Sequence, residues 1–316
     1  MEKKLISVVV PCYNEEEALP FFFEEIDKVM GEMPDYNFEV IYVDDGSKDK
    51  TLSILRERAA VDKFTRFVSF SRNFGKEAGM LAGLRESKGD FVCIMDADLQ
   101  DPPSLLPQMM NIIAEKGCDS VATRRGNRKG EPPIRSLFAK MFCSLMNKIS
   151  KVEFVPGARD YRLMSRRMVD AVLSMSEYNR FSKGIFSWVG FKTEWISFSN
   201  VERVAGKTKW SFWGLFKYSI ECIVAFSTAP LAISSFCGFL MFLASIIGSL
   251  AIIIRKLLDS SSSVSGWASN VCIILLVGGL QLLCLGILGQ YLSKTYLETK
   301  HRPDYIVAET EKDIER

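Results

Sequence analysis

Two stretches of the chain carry no charge, and they constrain it more than any other feature. Ala229 to Ile254 is 26 residues without an Asp, Glu, Lys, Arg or His, and Gly266 to Ser293 is 28 residues, again with none. At a rise of 1.5 Å per residue, helices of these lengths span about 39–42 Å, enough to cross a hydrocarbon core of about 30 Å with some tilt. A pair of buried core helices is the alternative, and two such runs placed back to back argue against it. The linker Arg255 to Ser265 is short and serine-rich. The segment therefore reads as a transmembrane hairpin whose outer ends lie on one side. Lys207, Lys209, Lys217, Lys294, Lys300 and Arg302 flank it, against Arg255 and Lys256 in the loop. That excess places the large domain and the tail in the cytoplasm. Asn270, Gln281 and Gln290 lie within the second run and suit hydrogen bonds between helices or subunits, so a homo-oligomer is expected. No ionisable residue lies in either run, which argues against an ion pathway. The expected organisation is a domain at 1–228, spans at 229–254 and 266–293, and a tail at 294–316.

Several function classes fall away on composition. Lys plus Arg is 40 against 38 Asp plus Glu, a formal charge of +2, which is too balanced for a nucleic-acid partner. The single histidine, His301, excludes a Ser-His-Asp or Cys-His centre in the main body and a zinc site with several histidines. The eight cysteines show no Cys-x-x-Cys spacing and read as reduced, buried small residues. Charged Met1 to Lys4 and the short apolar run Leu5 to Pro11 make a poor signal core, so the N-terminal part is expected to stay in the cytoplasm. No Gly-x-Gly-x-x-Gly follows the first apolar run, which leaves a nicotinamide-type site unsupported. Gly206-Lys207-Thr208 imitates the end of a P-loop, but Val201 stands where the required glycine would be.

Before the hairpin, short apolar runs alternate with amphipathic stretches. Ile6–Pro11, Phe38–Asp44, Arg66–Ser71, Phe91–Asp96 and Ser120–Thr123 read as strands, and Glu16–Met30, Thr51–Val61, Lys76–Glu86 and Ser104–Glu115 as helices. This order implies an α/β fold with an open, mostly parallel sheet. Such sheets bind ligands outside the carboxyl ends of their strands. The polar clusters fall there: Asn14 and Glu15, Asp44-Asp45-Gly46-Ser47, Ser71-Arg72-Asn73, and Asp96-Ala97-Asp98. Any one alone is compatible with a turn or a helix cap. Asp96 and Asp98, leaving a buried strand, suit a Mg²⁺ or Mn²⁺ ion held partly by phosphate oxygens, with Gln100 as a further oxygen ligand. On spacing alone, capping of the helix near Pro103 remains an equal explanation.

Val9-Val10-Pro11-Cys12-Tyr13-Asn14-Glu15, Asp44-Asp45-Gly46-Ser47 and Asp96-Ala97-Asp98-Leu99-Gln100-Asp101-Pro102-Pro103 together resemble the family 2 glycosyltransferases in residue type, order and spacing. The two-run C-terminal segment narrows the resemblance to the polyprenyl-phosphate branch, which includes dolichol-phosphate mannose synthases and bactoprenol glucosyltransferases. It covers about residues 5–300. It implies a GT-A (Rossmann-like) catalytic domain, a nucleotide-sugar donor and a polyprenyl-phosphate acceptor. Pro11, Tyr13 and Glu15 would border the donor's base and ribose, and Asp45 would read the base edge. Asp96 would sit near ribose and metal, Asp98 would be the principal metal ligand, and Gln100 would lie close to metal and diphosphate. Lys76 falls where the family tends to carry a basic residue; a solvated lysine at a helix start reads equally well. Arg159-Asp160-Tyr161-Arg162-Leu163 is similar to the segment bearing the family's proposed catalytic aspartate, which maps onto Asp160. An ion pair of Asp160 with Arg159 or Arg162 is the structural alternative. Arg203-Val204-Ala205-Gly206-Lys207-Thr208-Lys209 resembles the family's mobile Arg-x-x-Gly-x-[Ser/Thr]-Lys loop, which would bring Arg203 and Lys207 over the diphosphate.

Physical chemistry limits the part of Asp160. A phosphate monoester is largely dianionic at neutral pH, its second pKa being about 6, so the acceptor needs little help from a base. Cations that bring two anions together matter more. Arg124, Arg125, Arg128, Lys129, Arg135 and Lys140 lie within 17 residues, and Arg124 directly follows the fifth strand, which makes it the first choice for the acceptor phosphate. Leu137, Phe138, Met141, Phe142, Leu145 and Met146, and the aromatic stretch Trp210 to Phe226, suit helices lying in the membrane interface.

The implied activity is metal-dependent, inverting transfer of a sugar to undecaprenyl or another polyprenyl phosphate at the cytoplasmic face of a bacterial inner membrane. UDP-glucose fits the resemblance best, with UDP-N-acetylhexosamine and GDP-mannose as alternatives. A processive polysaccharide synthase would need more spans and a Gln-x-x-Arg-Trp motif, which is absent. A non-catalytic scaffold or flippase subunit is the reading from a different class, and Asp96, Asp98 and Asp160 argue against it.

Overall fold

A computed structural model describes residues 3–126, 133–150, 152–198, 212–258 and 267–313. The chain divides into two compact units: Met1–Ser219 together with Arg302–Arg316, and Ile220–His301.

The first unit is built on one eight-stranded sheet. In chain order it runs β1 (Leu5–Cys12), α1 (Leu19–Glu32), β2 (Asn37–Asp44), α2 (Thr51–Val61), β3 (Thr65–Phe70), α3 (Lys76–Glu86) and β4 (Phe91–Ile94). A 3-10 turn at Pro103–Leu105 leads into α4 (Leu106–Lys116), followed by β5 (Ser120–Arg125), α5 (Pro133–Ile149), β6 (Ala158–Ser165), α6 (Arg166–Leu173), α7 (Ser182–Trp188) and β7 (Thr193–Phe198). The last strand, β8 (Val307–Thr310), comes from the far end of the chain. The spatial order is β7-β5-β6-β4-β1-β2-β3-β8.

β1 lies near the middle, parallel to β2 on one side and to β4 on the other. Both of its faces are covered, and Ile6, Val8, Val9 and Val10 are fully buried, so it reads as a nearly continuous apolar run, broken by buried Ser7, rather than an alternating one. The sheet is mostly parallel, as expected, with four parallel pairings against three antiparallel ones: β6 runs antiparallel to both β4 and β5, and β8 antiparallel to β3. The sequence pattern passed over β6, β7 and β8. Arg159, Asp160 and Arg162 interrupt the apolar signal of β6, β7 begins Thr-Glu-Trp, and β8 has only four residues. The reversal of β6 has a direct consequence. Parallel strands end at the carboxyl edge, whereas β6 begins there. Its register sets Ala158 opposite Arg124 and Arg162 opposite Ile94, which carries Asp160 to the edge where β4 stops.

α3 lies very close to the sheet. A Cβ on Gly83 would stand 2.1 Å from Val9 Cγ1, so only glycine fits there. Every residue from Ala78 to Leu84 is buried. The close approach fixes the helix start, and with it Lys76 and Glu77, over the carboxyl edge.

The segment expected to be a simple tail is bound into this unit. Besides the β8 pairing, the Tyr305 ring stacks on Phe70 with centroids 4.8 Å apart. Arg66 reaches Glu39, Glu86 and Glu311, Arg85 pairs with Asp304, and Arg56 forks onto Glu309.

In the second unit, α9 (Ala229–Leu258) and α10 (Trp267–Thr299) run several residues beyond the uncharged stretches, and α8 (Phe212–Phe226) precedes them. Tyr291 Oη donates to the Ser227 carbonyl at 2.5 Å, tying α10 to the chain just before α9. Ala229–Ile252 and Leu276–Thr299 are long and apolar enough to cross a membrane, and neither is buried inside the protein. That exposure is the opposite of what a pair of core helices would show. In α5, Phe138, Met141 and Leu145 follow the helical period and remain 53%, 57% and 46% exposed, while Met146 is buried. Trp210 lies outside the described residues.

Replacing Gly83 with alanine is expected to destabilise the protein by about 1–3 kcal/mol through overpacking against Val9. Thermal unfolding of the detergent-solubilised variant should show Tm lowered by about 3–8 °C. Gly31→Ala, where an added Cβ meets nothing within 4 Å, serves as the control and should leave Tm unchanged or slightly raised.

Candidate active site

The carboxyl edge of the sheet gathers the polar residues, and hydrogen bonds between loops hold them in register. Asn14 adopts the left-handed region at φ 54°, a conformation that asparagine tolerates. Its N–H donates to Ser47 Oγ at 2.9 Å and its Oδ1 accepts from the Lys48 N–H at 2.8 Å. The Glu15 N–H donates to Thr51 Oγ1 at 2.8 Å. The loop after β1 is thus laced to the loop after β2, which sets half-buried Pro11, Tyr13 and Glu15 beside Asp45. Gly46 closes this arrangement: at φ +64° its missing Cβ would lie 2.4 Å from the Arg72 carbonyl carbon.

Asp45 is buried and already engaged. Its carboxylate accepts from the Phe74 N–H at 2.6 Å and the Gly75 N–H at 2.9 Å, which shapes the turn between β3 and α3. Burial pushes its pKa up, against the pull of those two donors. Each oxygen keeps further acceptor capacity for a base edge.

Asp96 and Asp98 leave β4 in a tight turn, with Leu99 at φ 56° and Asp98 Oδ1 accepting from the Gln100 N–H at 3.1 Å. A buried ion pair supports the turn. Arg159 Nε donates to both oxygens of fully buried Asp101, at 2.8 and 3.1 Å, and its Nη2 lies 3.5 Å from Gln100 Oε1. Burial drives the Asp101 carboxyl up despite the Arg159 charge. The adjacency of Asp101 to the Asp-x-Asp run was the only trace of this support in the sequence.

Lys76 joins the two halves of the site. Its Nζ lies 2.6 Å from Asp96 Oδ1 and 2.7 Å from Asp160 Oδ2. Burial opposes its charge, but Asp160 and Asp96 outweigh that and hold its pKa well above the ordinary lysine value. Asp160 Oδ1 also faces Lys183 Nζ, 3.8 Å away. Burial alone would raise the Asp160 carboxyl; Lys183 and Lys76 hold it far below the usual range instead. The alternative ion pair with Arg159 or Arg162 does not form. Successive strand residues point to opposite faces, which sends Arg159 to Asp101. Arg162 shares the Asp160 face but sits deeper, its guanidinium 4.1 Å over the Phe186 ring of α7, and burial takes its pKa down to about 10.

Glu77 and Lys183 gave no signal in the sequence. Glu77 Oε2 accepts from the N–H of Ser182 at 3.0 Å and from its hydroxyl, which fastens α7 to α3. Burial raises the Glu77 pKa to about 7. Glu77 also lines a polar cavity of about 370 Å³ with Arg72, Asn73, Tyr178 and Arg180. Arg124 lies at the end of β5, exposed, with Nε donating to Ser197 Oγ at 2.9 Å. Arg203 and Lys207, like Arg128 and Lys129, lie outside the described residues, and so do the side chains of Arg135 and Lys140.

No group of three or more His, Cys, Asp and Glu side chains among the described residues is arranged to hold a metal ion alone. The donor set Asp96, Asp98 and Gln100, two carboxylates and an amide oxygen, fits a hard divalent cation that takes its remaining oxygens from phosphate.

Residues 7–173, more than half of the chain, match the model of glycosyl transferase family 2. The chain belongs to this family. Its sheet is of the GT-A kind, and the protein is a glycosyltransferase. It is 41% identical over 309 residues to the putative glycosyltransferase CsbB of Bacillus subtilis (strain 168), covering 98% of this chain and 93% of the relative. It is 38% identical over 307 residues to the prophage bactoprenol glucosyl transferase homolog of Escherichia coli (strain K12), covering 97% and 99%. It is 39% identical over 302 residues to the bactoprenol glucosyl transferase of Shigella phage SfV, covering 96% and 97%. The similarity therefore runs through the apolar helices and the returning tail as well as the catalytic unit.

The raised Glu77 carboxyl links stability to pH. A glutamate whose pKa rises from 4.5 to about 7 on folding stabilises the native state fully below about 4.5, and that contribution is lost as pH climbs through 7. Glu77→Gln retains a carbonyl acceptor for Ser182 and removes the titration. The wild type should lose Tm between pH 5 and 7.5 relative to the variant, whose curve should be flatter. Parallel curves would assign the slope to other groups.

Proposed function

We propose that this glycosyltransferase moves a hexose from a nucleoside-diphosphate sugar to a polyprenyl phosphate at the cytoplasmic face of the bacterial cell membrane, with inversion at the anomeric carbon. Glucose from UDP-glucose and undecaprenyl phosphate are the preferred pair. One observation carries the reading: at a single sheet edge, Lys76 ties the Asp96-Ala97-Asp98 turn to Asp160. Relatives that match nearly the whole chain and are named bactoprenol glucosyl transferases support the acceptor and the sugar.

In this reading Pro11, Tyr13, Glu15 and Asp45 border the nucleobase and ribose. Asp96, Asp98 and Gln100 would hold Mg²⁺ or Mn²⁺, which when bound would supply positive charge beside the donor diphosphate. Lys76, drawn to the edge by Asp96 and Asp160, adds a fixed cation beside it. Arg203 and Lys207 are assigned to the diphosphate, and Arg124 to the acceptor phosphate. Asp160 works as an anchor. A carboxylate held anionic by two lysines has little affinity for a proton, and the acceptor phosphate has little need to lose one. Direct attack by a phosphate oxygen on the face opposite the leaving diphosphate inverts an α-linked donor.

The apolar helices α9 and α10 form a membrane hairpin in this reading. Residues on both sides of them belong to one folded unit, which supports outer ends on a single side of the bilayer. Six flanking cations against two, Arg255 and Lys256, in the last turns of α9 support the cytoplasm as that side. The exposed apolar stripe of α5 suits an interfacial position that keeps the site near lipid headgroups. Exposed Asn270, Gln281 and Gln290 on α10 suit contacts between copies in a homo-oligomer.

Purified protein in detergent should transfer hexose to undecaprenyl phosphate from one donor among UDP-glucose, UDP-GlcNAc, UDP-GalNAc and GDP-mannose, read by mass spectrometry of the lipid. A chelator should stop the reaction and Mg²⁺ or Mn²⁺ restore it. Asp98→Ala should lower the rate at least about 100-fold without unfolding the protein. An Asp98→Ala protein that complements a deletion strain would instead favour a non-catalytic scaffold.

Asp160→Asn separates anchor from base. The variant should lose about 10- to 100-fold in kcat and keep the acid limb of its pH–rate profile where the wild type has it, near the second pKa of the acceptor phosphate at about 6. Disappearance of that limb in the variant would make Asp160 the base.

A further inference from the structure

Asp160 is faced by more than one cation. Lys76 already spans both Asp96 and Asp160 with hydrogen-bond distances. Lys183 adds a second ammonium 3.8 Å from Asp160 Oδ1, and buried Arg162 adds a third positive charge on the same face of β6. At 3.8 Å the Lys183 contact is electrostatic and too long for a hydrogen bond. The Lys183 ammonium makes no hydrogen bond among the described residues, so its three N–H donors are held in place by charge and left unspent. Its side chain is 36% exposed, open to a ligand.

Packing on either side holds Lys183 in place. The residue before it, Ser182, is buried and gives both its N–H and its hydroxyl to Glu77. Three residues after it, Phe186 is buried beneath the Arg162 guanidinium. α7 is thereby fixed at both ends against α3 and β6, with Lys183 facing the carboxylate between them. A flexible lysine anchored on a carboxylate loses less freedom when it meets an anion, and an ammonium with free donors is suited to acceptor-only phosphate oxygens.

We propose that Lys183 is a phosphate ligand of the transfer reaction, aimed by Asp160 and paired across that carboxylate with Lys76. The assignment rests on the glycosyl-transfer reading above. Its ligand is a phosphate oxygen, from either the diphosphate of the donor or the monoester of the lipid acceptor. No bond to Lys183 forms or breaks: the ammonium screens the approach of one anion to the other.

The test uses full-length protein in detergent, with Lys183→Ala and Lys183→Arg compared with wild type. Rates are measured with the donor that the wild type accepts and undecaprenyl phosphate, and binding of UDP and of undecaprenyl phosphate is measured by calorimetry on the same samples. Lys183→Ala should lose about 10- to 100-fold in kcat/KM with Tm unchanged, and Lys183→Arg should recover most of it. A KM and Kd change confined to undecaprenyl phosphate identifies the acceptor as the source of the oxygen. A change confined to the nucleotide identifies the donor. An active wild type whose Lys183→Ala variant keeps kcat, both KM values and both affinities within about twofold overturns the assignment alone. A wild type that neither transfers sugar nor binds these ligands overturns the glycosyl-transfer reading, and the Lys183 assignment with it.

Discussion

The ammonium of Lys76 between Asp96 and Asp160 is the contact on which the site depends. It joins the end of β4, the start of β6 and the start of α3. Without a cation there, two carboxylates would face each other across a partly buried edge, a costly arrangement unless one of them takes a proton. With it, the Asp160 carboxyl is held far below the usual range. The same charge that balances the edge is the kind needed where a diphosphate and a phosphate meet. Folding and chemistry thus draw on one electrostatic arrangement, and the buried Arg159–Asp101 pair extends it behind the Asp98–Gln100 turn.

That arrangement requires a backbone held to within a few tenths of an ångström. Gly83 lets α3 settle onto Val9, and Gly46 lets the loop after β2 touch the loop after β3. Neither contact tolerates a Cβ. On the far edge, β8 and the tail cover what would otherwise be an open strand, a liability in any exposed sheet. Phe70, Phe74 and Tyr305 connect that cover to the turn held by Asp45. The return of the chain after α10 is therefore part of the catalytic unit and not an appendage.

The early βα repeats were legible because local and global signals agree in them. α2 and α3 occupy Thr51–Val61 and Lys76–Glu86, the bounds that periodicity predicts. β1 and β2 are predominantly apolar, with Ser7 and Glu39 the polar residues in their interiors. Beyond β5 the agreement fails. β6 carries three charged residues, and its burial comes from neighbours distant in sequence. Asp160 is met by Lys76 of α3 and Lys183 of α7, and Arg162 packs over Phe186 of α7, contacts that a linear pattern cannot represent. Nothing local distinguishes Lys183 from a solvated lysine either, because only the fold brings it to Asp160.

The sequence by itself determined the class: an α/β domain with carboxylates at its strand ends, two apolar helices long enough for a bilayer, and motifs particular enough to identify the family. These are properties of short segments, carried by hydrophobic period, charge and local turn chemistry. Only the tertiary structure decided who meets whom. The reversed β6 brings Asp160 to the edge where β4 ends, Lys76 bridges it to Asp96, Arg159 turns away to Asp101, and residues 302–313 close the sheet. Those outcomes depend on strand direction and on charges that meet across distant parts of the chain, which no local pattern encodes.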